Sequence, residues 1–221
     1  MPAVVKPSCV ICAWRSHCNK QFSIADPSHC PEYSRDVTVK DYPGKRGVKL
    51  LIEGEPGSGK TTLIERLIMK LGKDARVGGF YTREMREGGV RVGFMMVSVD
   101  KREGVLAHVD FKGNMKVGKY TVDLDALEKV GAASVQRALA DDEVVVIDEV
   151  GKMELMSGRF RELVEVALGS EKPVVATIPT DGPPFIDEIK AMKDVHLLKL
   201  DEHNREEILD EALRRLRGDI P

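Results

Sequence analysis

The chain has 221 residues, 42% of them hydrophobic and 32% charged, with a formal net charge of −2. That is enough for one α/β domain with a substantial core, and it excludes a global basic field that would capture nucleic acid. Aromatic residues are only 5% of the chain, too few for a base-stacking surface, and no apolar run approaches the roughly 20 residues of a membrane helix.

All four cysteines fall in the first 30 residues, as Cys9, Cys12, Cys18 and Cys30. The opening stretch "MPAVVKPSCVICAW" is broken by Pro7 and does not read as a leader, so the expected location is cytoplasmic. The spacing C-x2-C-x5-C-x11-C sets two sulfurs on a tight turn and adds two more, a complete set for one metal. Zinc would close such a site tetrahedrally; a [4Fe–4S] cluster would use the same four thiolates, and Cys30 is followed by proline as in cluster-binding runs. Reduced free thiols or a redox pair are the plainer alternatives. Residues 1–35 thus read as a small metal- or cluster-binding segment, open to a protein partner, and residues 36–47 as a linker built on the turn "DYPG".

From residue 48 to 221 the pattern is that of one domain. "VKLLIE" (48–53) reads as a buried strand and "KTTLIERLIMKLG" (60–72) as a helix closed by Gly72. "ARVGGFYT" (75–82) is a second strand. "VRVGFMMVSV" (90–99) and "GVLAHVD" (104–110) read as an inserted antiparallel hairpin. A long helix follows over 123–140, with Asp123 as its cap, then the strand "EVVVIDEV" (143–150), whose consecutive apolar residues imply burial on both faces. "KMEL" (152–155) leads toward a helix over 157–170, with Met153 and Leu155 in the core. A strand over 172–178, a last strand over 195–200 and a closing helix over 205–218 complete the chain. Strand and helix alternating in this way predict an α/β three-layer sandwich around a mostly parallel sheet.

"GEPGSGKT" matches the phosphate-loop spacing at Gly54, Gly59, Lys60 and Thr61. The backbone of Gly54, Glu55, Pro56, Gly57, Ser58 and Gly59 must curl its N–H groups toward phosphate oxygens, and Gly57 and Gly59 permit the dihedrals this needs. The helix that starts near Lys60 presents its N-terminus to the anion. Lys60 brings a charge to the β- and γ-phosphates, and the Thr61 hydroxyl is placed for Mg²⁺. Thr62 is expected to pack near the site.

"VVVIDEVG" (144–151) supplies the acidic counterpart. Asp148, at the carboxyl end of a buried strand, is where a Mg²⁺ partner is required. Glu149 beside it is a candidate base for a water aligned on the γ-phosphorus, although a solvated acidic pair is the bland alternative. Gly151 offers a backbone N–H to the γ-phosphate. Arg83 and Arg86, expected in a loop after "GFYT", are either arginine fingers or surface arginines. Asn204 and Arg205 are either base contacts or a helix cap with a solvated neighbour.

With "GEPGSGKTTL", three further segments come in order: "GGFYTREMREGGVRVGF" (78–94), "GKY" with "VDLDAL" (118–127), and "DEVGKMEL" (148–155). Together they resemble the cancer-related nucleoside-triphosphatase family, small P-loop enzymes also known from thermophiles, over roughly residues 48–217. The resemblance implies a RecA-like P-loop NTPase core and slow hydrolysis of ATP, GTP and other nucleoside triphosphates, for which Thr61 and Asp148 call for Mg²⁺. The resemblance extends to suspected nucleotide kinases, and the residues themselves also leave open a kinase acting on a nucleoside, nucleotide or other small acceptor, and a nucleotide-dependent switch coupled to the cysteine segment.

Overall fold

A computed structural model describes residues 47–219. The four cysteines, with the zinc or iron–sulfur site expected of them, lie outside the described residues, as does nearly all of the expected linker.

Nine strands form one sheet in the order β5-β6-β4-β3-β2-β7-β8-β1-β9. Five of them are mutually parallel: β1 (Lys49–Glu53), β2 (Val77–Glu87), β7 (Val144–Ile147), β8 (Val174–Ile178) and β9 (Val195–Lys199). Their order, β2-β7-β8-β1-β9, places β8 between β1 and β7, which is the RecA-like arrangement. The other four, β3 (Val90–Ser98), β4 (Glu103–His108), β5 (Lys116–Val117) and β6 (Tyr120–Val122), extend the sheet antiparallel beyond β2. The sheet is therefore mixed, and the expected inserted hairpin is the start of a larger antiparallel wing.

The wing begins earlier than the sequence suggests. β2 does not end at residue 82 but runs to Glu87, pairing with β3 down to Glu87↔Val90. Gly88 and Gly89, with φ of 54° and 82°, make the two-residue turn between them. The reason is cross-strand pairing: "REMRE" has no buried face of its own and is held as strand by its partner.

Helices cover both faces. The alternation of side chains along the parallel strands divides the core in two. Leu50, Ile52, Val144, Val146 and Val175 join a cluster with Leu67 of α1 (Lys60–Leu71) and Leu209 of α6 (Arg205–Arg217). Leu51, Val145, Ile147 and Ala176 join the opposite cluster with Val135 of α3 (Ala133–Asp141), Leu163 of α4 (Gly158–Gly169) and Ile186 of α5 (Pro184–Lys190). The consecutive apolar run of β7 is thus buried on both sides, as its composition predicts. The expected long helix is realised as α2 (Leu124–Ala126), a π-helical turn at Leu127–Ala132 and α3, entered through Asp123, which accepts from the Ala126 N–H. α5 was not anticipated; Pro183 and Pro184 at its start mask a seven-residue helix whose apolar face is short.

Gly79 shows how tightly the parallel strands approach. It sits at φ +110°, and a Cβ there would lie 1.9 Å from the Val146 carbonyl oxygen on β7. Replacement Gly79→Ala combines a left-handed conformation with a backbone clash. We expect a loss of at least about 3 kcal/mol in chemical unfolding, or no folded protein; an unchanged unfolding midpoint would contradict this packing.

Among the described residues, no helix is long and apolar enough to cross a membrane.

Candidate active site

The loop between β1 and α1 folds around its own backbone. Gly57 and Gly59 take φ of 87° and 102°, the left-handed region anticipated for them. α1 then begins at Lys60 with no side chain capping it and no acid in its first turn. Its N-terminus keeps its positive end of the dipole for an incoming anion. Ser58 carries a buried hydroxyl with no hydrogen-bond partner inside this loop, a group left for a ligand to satisfy.

Lys60 folds back into the loop. Its ammonium donates to the carbonyls of Gly54 at 2.6 Å and Glu55 at 3.3 Å, and lies 3.3 Å from the Glu149 carboxylate. Thr61, one residue on, donates its hydroxyl to Asp148 Oδ2 at 2.7 Å. The loop and the end of β7 therefore meet through two side-chain contacts, although β8 separates their strands.

Asp148 is 1% exposed and held on three sides. Besides Thr61, it accepts from the Thr177 hydroxyl of β8 at 2.5 Å and from the Thr82 N–H of β2 at 3.3 Å. Burial pushes its carboxyl above the ordinary value, and these hydrogen bonds and Lys60 oppose that. Glu149 is also raised by burial; Lys60 lowers it and the Asp148 charge raises it further. A third carboxyl, Glu154, was read only as part of the run into the next helix. It is 5% exposed at the start of the 3-10 turn Glu154–Met156, and its carboxyl is pushed up to about 8. Burial is the main cause and the Glu149 charge the next. In "KMEL" a lone Glu between apolar residues looks like the solvent side of a turn. The available signal was a third acid within six residues of Asp148. Met153 and Leu155, expected in the core, pack against it half-buried.

Gly151 does not turn its N–H toward the cleft. It donates to Glu154 Oε2 at 3.1 Å, so the expected phosphate contact is replaced by an internal one. Arg83 and Arg86 lie on β2 rather than in a loop. Both are exposed and both line the cleft. Arg83 is held by Glu65 at 2.7 Å and lies over the Tyr81 ring; Arg86 is held by Glu84 at 2.5 Å. Thr62, expected to pack, is exposed on the cleft. Asn204 turns its side chain into its own loop, accepting from the Asp201 N–H and donating to the Lys199 carbonyl. Arg205 donates from Nε to the Ser58 carbonyl at 2.6 Å. It braces the phosphate loop from its backbone, and neither it nor Asn204 lines the cleft.

The cleft itself has a volume of about 800 Å³ and runs from Pro56 and Gly57 past Lys60, Thr61 and Glu149 to the antiparallel wing. A glycine-rich loop on one strand of a RecA-like sheet, facing a paired acid two strands away, defines a P-loop nucleotide-binding α/β protein. The comparisons narrow this. The family described as NTPase matches residues 49–213, and the chain belongs to that family. It is 48% identical over 170 residues to the nucleoside-triphosphatase THEP1 of Thermotoga sp. (strain RQ2), covering 77% of this chain and 96% of that one. It is 38% identical over 171 residues to the THEP1 of Methanocaldococcus jannaschii, with 76% and 97% covered. Among solved structures, THEP1 from Aquifex aeolicus matches with a TM-score of 0.71 at 35% identity, over 76% of this chain and 99% of that one. A human cancer-related nucleoside triphosphatase matches at 0.67 and 32%, over 79% and 100%.

Proposed function

We propose that the protein hydrolyses ATP, GTP and other nucleoside triphosphates to the diphosphate and phosphate, with Mg²⁺ as cofactor. The observation that carries this reading is the double contact between loop and strand end, Thr61 to Asp148 and Lys60 to Glu149. It brings the loop and the candidate base to one cleft, with the buried Asp148 bonded to the cleft's Thr61, which supports the reading.

The donor set fits Mg²⁺. Thr61 and Asp148 present adjacent oxygens, one of them from a carboxylate, beside a loop built for phosphates, and these two residues would hold the ion. When bound, Mg²⁺ would offset the negative charge of the β- and γ-phosphates. The protein's own groups do the rest. The loop amides and the start of α1 bind the phosphate chain, and Lys60 leaves the Gly54 carbonyl to follow the γ-phosphate. Glu149 accepts a proton from the attacking water; its raised affinity for protons suits that task. Arg83 and Arg86, on the rim, are the cleft's arginines nearest in sequence to Thr82, whose N–H touches Asp148. Either one stabilises transition-state charge after exchanging its present carboxylate partner.

The test is phosphate release from ATP and GTP by the full chain, with and without chelator. Release that stops when Mg²⁺ is removed and returns on its addition is expected; no release from any nucleoside triphosphate would refute the reading. In the same assay Lys60→Ala should weaken nucleotide binding by about tenfold or more, since one charge-assisted contact to phosphate is worth about 1.5–3 kcal/mol. It should lower turnover as well. Unaltered affinity and rate would remove Lys60 from the site.

A further inference from the structure

Among the described residues, the cations lining the cleft are Lys60, Arg83, Arg86, Arg91 and Lys152. All but the last are already engaged. Lys60 lies 3.3 Å from the Glu149 carboxylate and Arg83 lies 2.7 Å from Glu65. Arg86 and Arg91 share Glu84, at 2.5 Å and 2.6 Å. Among the described residues, Lys152 is the cleft cation whose ammonium has neither an ion pair nor a hydrogen bond.

Its place in the chain explains this. β7 ends at Ile147, and the backbone then turns away from Asp148 and Glu149 through a run of internal bonds. The Val150 N–H donates to the Thr177 carbonyl at 2.9 Å, the Gly151 N–H to Glu154 Oε2 at 3.1 Å, and the Leu155 N–H to the Gly151 carbonyl at 3.0 Å. This turn buries Glu154 and packs Met153 half-buried against the core. Lys152, between Gly151 and Met153, is the residue it leaves exposed on the cleft. Two acids, Glu149 and Glu154, stand within three residues of it, and it pairs with neither. A lysine on a turn is ordinarily a solvated charge. This one shares a cleft with a phosphate loop and follows the very carboxylate that Lys60 reaches from the loop side.

Resting on the phosphate-loop reading above, we infer that Lys152 is a further catalytic residue, whose ammonium contacts the non-bridging oxygens of the terminal phosphate from the β7 side. In the reaction the oxygen of water forms a bond to the terminal phosphorus, and Glu149 takes a proton from that water. The bond from the phosphorus to the β–γ bridging oxygen breaks, and its electron pair leaves with the diphosphate. Lys152 gives up no proton. Its charge offsets the negative charge spread over the oxygens of the phosphoryl group in flight. Arg83 and Arg86 must each leave a carboxylate before they can do the same. Lys152 has none to leave and moves only its own flexible stem.

Phosphate release from ATP with Mg²⁺ is followed in the full chain and in its Lys152→Met and Lys152→Arg variants. Lys73→Met, at an exposed lysine outside the cleft, controls for the lost charge. Lys152→Met should lower kcat by about tenfold or more, and Lys73→Met by no more than about twofold. Lys152→Arg keeps the charge and should run faster than Lys152→Met. Calorimetry supplies a readout that turnover does not. Lys152→Met should weaken binding of a β,γ-imido ATP analogue by about threefold or more. It should leave ADP within about twofold, because the contact is to the terminal phosphate alone. Three results would refute this role while the phosphate-loop reading stands: Lys152→Met matching a parent that releases phosphate, Lys152→Arg as slow as Lys152→Met, or ADP weakened as much as the analogue. If the parent itself releases no phosphate, both fall.

Discussion

Glu149→Gln is expected to lower turnover of nucleoside triphosphate by about 10²- to 10⁴-fold, the usual contribution of a positioned general base, equivalent to about 3–5 kcal/mol of barrier. The substitution keeps the side chain's size and leaves an oxygen facing Lys60, now 3.3 Å from the carboxylate. What it removes is the capacity to take a proton. That capacity is enhanced in the parent chain, because burial and the Asp148 charge raise the Glu149 carboxyl and Lys60 only partly opposes them. Binding of a non-cleavable analogue should change by no more than about threefold, since the phosphate cradle is built from backbone and Lys60. The parent's rate should therefore rise with pH through a limb above the ordinary carboxylate range, as Glu149 loses its proton. Single-turnover phosphate release against pH checks both points. A variant that turns over at the parent's rate would exclude Glu149 as the base.

The parallel half of the fold and the loop were legible for one physical reason: local sequence dictates them. Four apolar residues in a row at 144–147 leave no polar face, so β7 had to be central. Gly57 and Gly59 announce a backbone that other residues resist. Asp148 followed from its place at the end of that strand. The antiparallel wing was only half legible, because the outer part of β2 is polar and depends on β3 for its shape. β5 and β6 are two and three residues long and carry no period to read. The same non-local pairing moved Arg83 and Arg86 from an imagined loop onto a strand. At the site, what the sequence could not reveal was which groups would satisfy each other. Gly151 was assigned a phosphate, and the structure pairs it with Glu154. Arg205 was assigned a base or solvent, and it holds the Ser58 carbonyl.

Glu154 gives the second large effect, on stability rather than rate. Its carboxyl is buried, accepts the Gly151 N–H, and shares a narrow space with Glu149: a Cβ on Gly151 would lie 2.8 Å from Glu149 Oε1 and 3.1 Å from Glu154 Oε2. In the unfolded chain Glu154 releases its proton near 4.5; in the folded chain it keeps it to about 8. Between those values the folded state binds more protons than the unfolded one, so this group makes stability fall as pH rises. Below the window both states are protonated and the penalty vanishes; above it the penalty is complete, on the order of 5 kcal/mol as an upper bound. Glu154→Gln stays neutral throughout, and its amide oxygen can still accept from Gly151. The variant should match the parent within about 1 kcal/mol near pH 5 and exceed it by several kcal/mol near pH 8. Asp148 and Glu149 are also raised by burial and are present in both proteins, so the difference reads Glu154 together with its coupling to the Glu149 charge. Urea unfolding midpoints across this range, without nucleotide or Mg²⁺, measure it. Parallel curves for the two proteins would mean that Glu154 is ionised in the folded chain. The third carboxyl would then add full negative charge beside Glu149, where a phosphate loop expects to receive an anion.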